Sequence, residues 1–180
     1  MTGKSAARDA AYIGLAAALI AVCAWISVPF TVPFTMQTFG VFCALGLLGG
    51  KRGTLAVLVY ILLGAVGAPV FSGFTGGLGR LAGPTGGYIV GFLAMAFVYR
   101  VLCGDAREAR RQAAGMLLGL AVCYAFGTVW FLVVYDGAGA MGLWAVLMKC
   151  VVPFIVPDCA KLAAALALIK AVGDRIPIRT

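Results

Sequence analysis

Histidine is absent from the 180 residues. Without imidazole there is no His-ligated metal site and no Ser-His-Asp or Cys-His nucleophile of the usual kind. Charge is also scarce, at 11% of residues where soluble domains carry about 25%. No GxxxxGK[ST] run occurs, so the chain has no phosphate-cradling loop with which to hydrolyse ATP. Six cysteines are present, at 23, 43, 103, 123, 150 and 159, but no pair has CxxC spacing and five lie among apolar or small neighbours. They read as small core hydrophobes, not as disulfide or metal partners. No cleavable leader is expected either, because the first apolar run is span-length and no small-residue cleavage site follows it.

What remains is apolar. Hydrophobic residues make up 63% of the chain and the mean hydropathy is +1.07. A soluble fold of this size has nowhere to bury so much apolar surface, so the sequence reads as one integral membrane domain over 1–180. The net charge of +8 does not point to nucleic acid, because the basic residues form no stripe with interleaved aromatics and lie between long apolar runs.

A hydrocarbon core of ~30 Å takes about 20 helical residues. Six runs fit, which predicts an all-α protein of six transmembrane helices: 9–27, about 35–48, 54 to about 68, about 85–103, 113–135, and a last one reaching Val172 with interruptions at Pro153 and Pro157. A Pro-rich loop (28–35) separates the first two, Gly49-Gly-Lys-Arg-Gly53 the next two, and a Gly-rich loop (69–84) the third and fourth. Six spans put both termini on one side. Lys4, Arg8, Lys51, Arg52, Arg100, Arg107, Arg110, Arg111, Lys170, Arg175 and Arg179 gather there, eleven of fourteen basic residues. By the positive-inside rule that side is cytoplasmic. The Gly-rich loop and the 136–140 turn then face outward, carrying Arg80 and Asp136.

Lys149, near the outer end of the last span, can snorkel. Lys161 cannot, since it lies about 18 Å deeper at ~1.5 Å per residue. Asp158 precedes it by three positions, so the two share a helix face. An intramembrane charge costs at least ~2.5–3.5 kcal/mol and marks a functional site by default. A mutually neutralising pair that only holds helices together is the other reading. Pro157 frees the carbonyl four residues earlier, leaving a spare acceptor near the pair. Gly77-Leu-Gly79-Arg-Leu-Ala82 formally matches a dinucleotide fingerprint. It lacks the preceding strand, the crossover helix and the acid about 20 residues on, so the glycines read as freedom for an outer loop to fold inward. Gln37 adds an amide at the outer start of the second span. Ala10, Gly14 and Ala18 form a stripe spaced by four, which permits close helix approach either within the chain or with a partner.

Three segments together resemble the BioY family, the biotin-specific substrate-binding (S) components of energy-coupling-factor (ECF) transporters: Val32-Pro-Phe-Thr-Met-Gln-Thr-Phe39; Pro69-Val-Phe-Ser-Gly with Gly76-Gly-Leu-Gly-Arg-Leu-Ala-Gly-Pro-Thr-Gly-Gly-Tyr88; and Pro153-Phe-Ile-Val-Pro-Asp-Cys-Ala-Lys161. Val156-Pro157 stands where the family usually has Pro-Gly. The resemblance covers nearly the whole chain and implies high-affinity biotin uptake across the cytoplasmic membrane of a prokaryote, with no cofactor. Power would come from two separate ATPase subunits and a transmembrane coupling protein, docked on the stripe of Ala10, Gly14 and Ala18. It implies a site in which Asp158 accepts from the ureido N–H groups of biotin and Lys161 donates to its carbonyl or carboxylate. Tyr88 and Phe71 would form apolar walls, and Gln37 or Arg80 would complete the polar set. An S component for thiamine or riboflavin is one alternative. Another is a membrane-embedded enzyme using Asp158, Lys161 and Cys159, although a helical step of about 100° turns Cys159 off the shared face.

Overall fold

A chain this apolar must satisfy its backbone internally, and it does so almost wholly by helix. The computed structural model describes residues 3–28, 34–106, 108–134 and 142–173, with side chains from Ala6 onward. Helix α1 (Gly3–Trp25) leads into a minimal hairpin of β1 (Ser27–Val28) and β2 (Phe34–Thr35), then α2 (Gln37–Ala65). A 3-10 turn (Ser72–Phe74) and the short α3 (Leu78–Ala82) precede α4 (Gly86–Cys103), α5 (Ala109–Val134), α6 (Leu143–Cys150) and α7 (Val152–Val172). Among the described residues, five stretches are long and apolar enough to cross a membrane: 6–25, α2, α4, α5, and α6 with α7. Of the expected features, Arg107, Asp136, Arg175, Arg179, most of the Pro-rich loop (29–33) and the 136–140 turn lie outside the described residues, as does the side chain of Lys4.

Helix α2 is two antiparallel arms. Gln37 Nε2 donates to Tyr60 Oη at 2.7 Å, although 23 residues of straight helix would span roughly 35 Å. The reversal sits at Gly49, whose φ of 81° is open to glycine and costly for other residues. The arms then lie so close that a Cβ on Gly53 would come 2.8 Å from Leu45 Cα. The sequence suggests a polar loop here, but a single positive-φ residue turns the chain and Lys51 and Arg52 are helical.

Two further expectations change. The Gly-rich segment is built, not open: it holds the 3-10 turn and α3, and Gly77 N–H donates to Gly64 O at 2.6 Å. In the last span the break falls at Val151 (φ −125°, ψ −59°), with Pro153 in the first turn of α7, where its missing N–H costs nothing. Pro157 is carried inside α7 without interrupting it.

Helices α4 and α5 pack antiparallel through small residues at every fourth position of α5. Gly115 faces Cys103, Gly119 faces Met95, Cys123 faces Gly91 and Gly127 faces Tyr88. At one end of the bundle, Arg52 bridges Asp9 at 3.0 Å, Gly50 N–H reaches Gly104 O at 2.7 Å and Arg111 Nε donates to Leu102 O at 2.9 Å. Ile169 fills the space beside Gly46 at that same end. The start of α1, the α2 reversal, the α4–α5 junction and the end of α7 are therefore together, and with them Lys51, Arg52, Arg100, Arg111 and Lys170. The cavity lies toward the other end.

Candidate substrate-binding site

Helices α2, α4, α5 and α7, with the segment before α4, enclose a cleft of about 630 Å³ counting its open mouth. Its polar centre is the α7 pair. Asp158 and Lys161 are 2% and 6% exposed, and Lys161 Nζ donates to Asp158 Oδ1 at 2.7 Å. Two charges withdrawn this far from water require hydrogen bonds beyond their own contact, and three other elements supply them.

Thr38, in the first turn of α2, donates to Asp158 Oδ1 at 2.8 Å and accepts from Lys161 at 3.2 Å. Tyr124, in the middle of α5, donates to Asp158 Oδ2 at 2.5 Å. Lys161 also donates to the Thr35 carbonyl at 2.7 Å and sits 4.2 Å above the centre of the Phe34 ring, well inside the ~6 Å limit of cation–π attraction. Phe34 in turn stacks on Phe154 at 6.1 Å. All three ammonium protons are thus committed, so a ligand acceptor reaches Lys161 only by displacing one of these partners, the 3.2 Å contact to Thr38 being the longest. Asp158 differs, because its Oδ2 accepts from Tyr124 alone among the described residues. The carboxylate is the group with capacity for an incoming N–H donor.

The other expected site residues divide. Gln37 lines the cavity, its amide fixed by Tyr60 Oη and its backbone N–H by Thr35 Oγ1 at 3.2 Å. Tyr88 lines it too, its hydroxyl 3.4 Å from Thr128 Oγ1, and Arg80 lines it from α3. Phe71 does not. It is fully buried behind the wall, edge-on to Tyr60 at 5.6 Å and pressed against Gly64. Its part is to hold Tyr60, which holds Gln37. Cys159 is exposed and off the cavity, whereas Cys123 and Cys150 line it. Thr35, Thr38 and Tyr124 are the site residues that the sequence reading passes over. Thr38 lies inside the Val32–Phe39 motif, but Tyr124 carries no local signal, being a Tyr in an apolar helix.

Ala10, Gly14 and Ala18 face away from the bundle, and a Cβ on Gly14 would meet nothing within 4 Å. The stripe is not internal packing. Groups of three or more metal-capable side chains are absent among the described residues.

A polar, buried carboxylate–ammonium centre in a helical membrane bundle narrows the possible relatives, and the comparisons agree with it. The chain is 39% identical over 163 residues to the probable biotin transporter BioY of Pyrococcus horikoshii, covering 90% of this chain and 94% of that one. It is 38% identical over 166 residues to the biotin transporter BioY of Rhodobacter capsulatus, covering 86% and 87%. With the biotin transporter BioY of Thermotoga maritima it shares 50% over 115 residues, 63% of this chain and 68% of that one. Its fold matches the crystal structure of the S-component for biotin from an ECF-type ABC transporter with a TM-score of 0.83 at 26% identity, over 96% of this chain and 94% of that one. The BioY family model matches residues 1–178, and the chain belongs to that family.

Proposed function

We propose that this chain binds biotin in the Asp158–Lys161 cavity and carries it across the cytoplasmic membrane of a prokaryote, as the S component of an ECF-type transporter. One observation carries the reading: a deeply buried carboxylate whose Oδ2 keeps capacity for a donor, in a cavity that Ile89, Phe92, Leu120 and Phe154 also line. Biotin offers the complement, with ureido N–H groups for Asp158, an apolar thiophane ring for Tyr88, Ile89 and Phe92, and a carboxylate. The relatives' names and the fold match support the same ligand.

The α2 reversal supports six passes from the five long apolar stretches. The gathering of Lys51, Arg52, Arg100, Arg111 and Lys170 at one end favours that end, and both termini, on the cytoplasmic side. The cavity then opens outward. The chain itself performs no chemistry in this reading: two ATPase subunits hydrolyse ATP, and a transmembrane coupling protein docks on Ala10, Gly14 and Ala18, whose small side chains allow close approach.

Equilibrium binding of labelled biotin to the purified chain, with thiamine and riboflavin as competitors, tests the ligand. Tight binding displaced by unlabelled biotin alone is the expected result. Displacement by thiamine or riboflavin at comparable concentration refutes it.

A further inference from the structure

The Asp158 network leaves one charge in the cavity unanswered. Among the described lining residues the ionised side chains are Asp158, Lys161 and Arg80. Asp158 and Lys161 neutralise each other at 2.7 Å, so the cavity carries one net positive charge, on Arg80.

Arg80 is also under-bonded in a particular way. Its Nε is buried without a partner, and its Nη2 makes only a long 3.4 Å contact with Ser72 Oγ. These two nitrogens carry the parallel N–H bonds of the side-on guanidinium fork, the geometry that grips a carboxylate through both oxygens. A buried donor without an acceptor is unfavourable, and such a group calls for an explanation, of which an incoming acceptor is one. Ser72 lines the cavity beside it.

The segment that carries Arg80 is also held in place. Gly77 N–H is tied to Gly64 O at 2.6 Å, Phe71 N–H to Thr75 O at 2.9 Å, and Trp25 Nε1 donates to Pro69 O at 2.8 Å. Arg80 sits at the middle of α3 in this pinned segment, and its side chain makes no bond to the Asp158 network. The cavity therefore offers two separate polar stations, one seeking N–H donors and one seeking an anion.

We infer that Arg80 anchors the ligand's carboxylate, with Ser72 beside it, so that the cavity selects monoanions whose other end donates N–H groups to Asp158. The inference rests on the biotin reading and adds the orientation of the ligand and the reason a cation is disfavoured: a bound monocarboxylate brings the cavity to zero net charge, whereas a cation raises it to plus two.

The test compares biotin with biotin methyl ester, which keeps the ureido end and lacks the charge, on the purified full chain. Charge-assisted hydrogen bonds to the carboxylate should give wild type a preference for biotin of roughly 10- to 100-fold. Arg80→Gln should remove that preference by weakening biotin alone, leaving the affinity for the ester unchanged. Arg80→Lys, which keeps the charge but loses the fork, should recover part of it. An equal loss for both ligands in Arg80→Gln, or an unchanged biotin-to-ester ratio, overturns the anchor while leaving biotin binding intact. Wild type that binds neither ligand overturns the biotin reading, and the anchor falls with it.

Discussion

Neutralising the α7 pair one member at a time and then together separates recognition from architecture. Asp158→Asn keeps an Oδ1 that accepts from Thr38 and Lys161, but strands a buried ammonium that is 6% exposed. Lys161→Met strands the carboxylate, 2% exposed, and removes the tie to the Thr35 carbonyl at 2.7 Å. Breaking a buried pair costs about 3–5 kcal/mol of stability because the survivor's charge is uncompensated. If the pair also contacts ligand, affinity falls by ~2–5 kcal/mol, which is roughly 30-fold to several-thousand-fold. The double variant distinguishes the two effects. Replacing both charges removes the uncompensated one, and such swaps are often neutral or stabilising, so the double variant should melt near wild type. A pair that recognises ligand leaves that restored protein unable to bind; a pair that only joins helices leaves it binding normally. Biotin affinity measured on the monodisperse fraction, with melting temperature in parallel, is the assay. Near wild-type affinity in all three variants, alongside lowered melting in the singles, refutes the binding role.

Gly14→Trp should abolish uptake and co-purification of the coupling subunits while leaving biotin binding intact, since no described residue comes within 4 Å of a Cβ placed there; undiminished co-purification removes the docking role. Gly127→Val should cost about 1–3 kcal/mol by overpacking and weaken biotin binding, because any side chain there displaces the Tyr88 ring; unchanged affinity shows that Tyr88 is no part of the wall. Phe71→Leu should lower the melting temperature with biotin affinity altered only a few-fold, as suits a residue behind the cavity; a loss as large as that of Asp158→Asn would put Phe71 in contact with ligand. On a Cys-free background, Cys at exposed Thr75 should label from outside and Cys at exposed Glu108 from inside; the reverse pattern inverts the orientation.

Periodicity and length make the helices legible, and an intramembrane Asp and Lys three residues apart mark the buried charged centre of the cavity, because both signals are local. The turn at Gly49 is legible too, but it is shorter than its composition suggests. Gly-Gly-Lys-Arg-Gly has the composition of a loop, yet reversal requires positive φ at only one residue, and the remainder is free to continue the helix. Pro157 misleads in the opposite sense. Spanning helices tolerate an internal proline when neighbouring groups satisfy the freed backbone, and the actual break went to Val151, where Pro153 could open the next helix.

The partners of the pair could not be read, because they are fixed by approach and not by spacing. Thr38 is 120 residues from Asp158 and Tyr124 is 34, and each is an unremarked residue in its own helix. What brings Tyr124 to the carboxylate is the packing of α5, and there the sequence did hold a sign. Gly115, Gly119, Cys123 and Gly127 repeat at four, the same small-residue spacing as Ala10, Gly14 and Ala18. One stripe is filled by α4 and the other faces outward. Spacing alone gives the two equal standing, and only the position of the neighbouring helix decides which packs inside the bundle and which stays exposed. Tyr124 follows Cys123 by one residue, a turn of about 100°, so the stripe that locks α5 onto α4 also sets the angle at which the hydroxyl reaches Asp158. Lengthening that stripe's side chains should therefore impair the site without touching any residue of the charged pair.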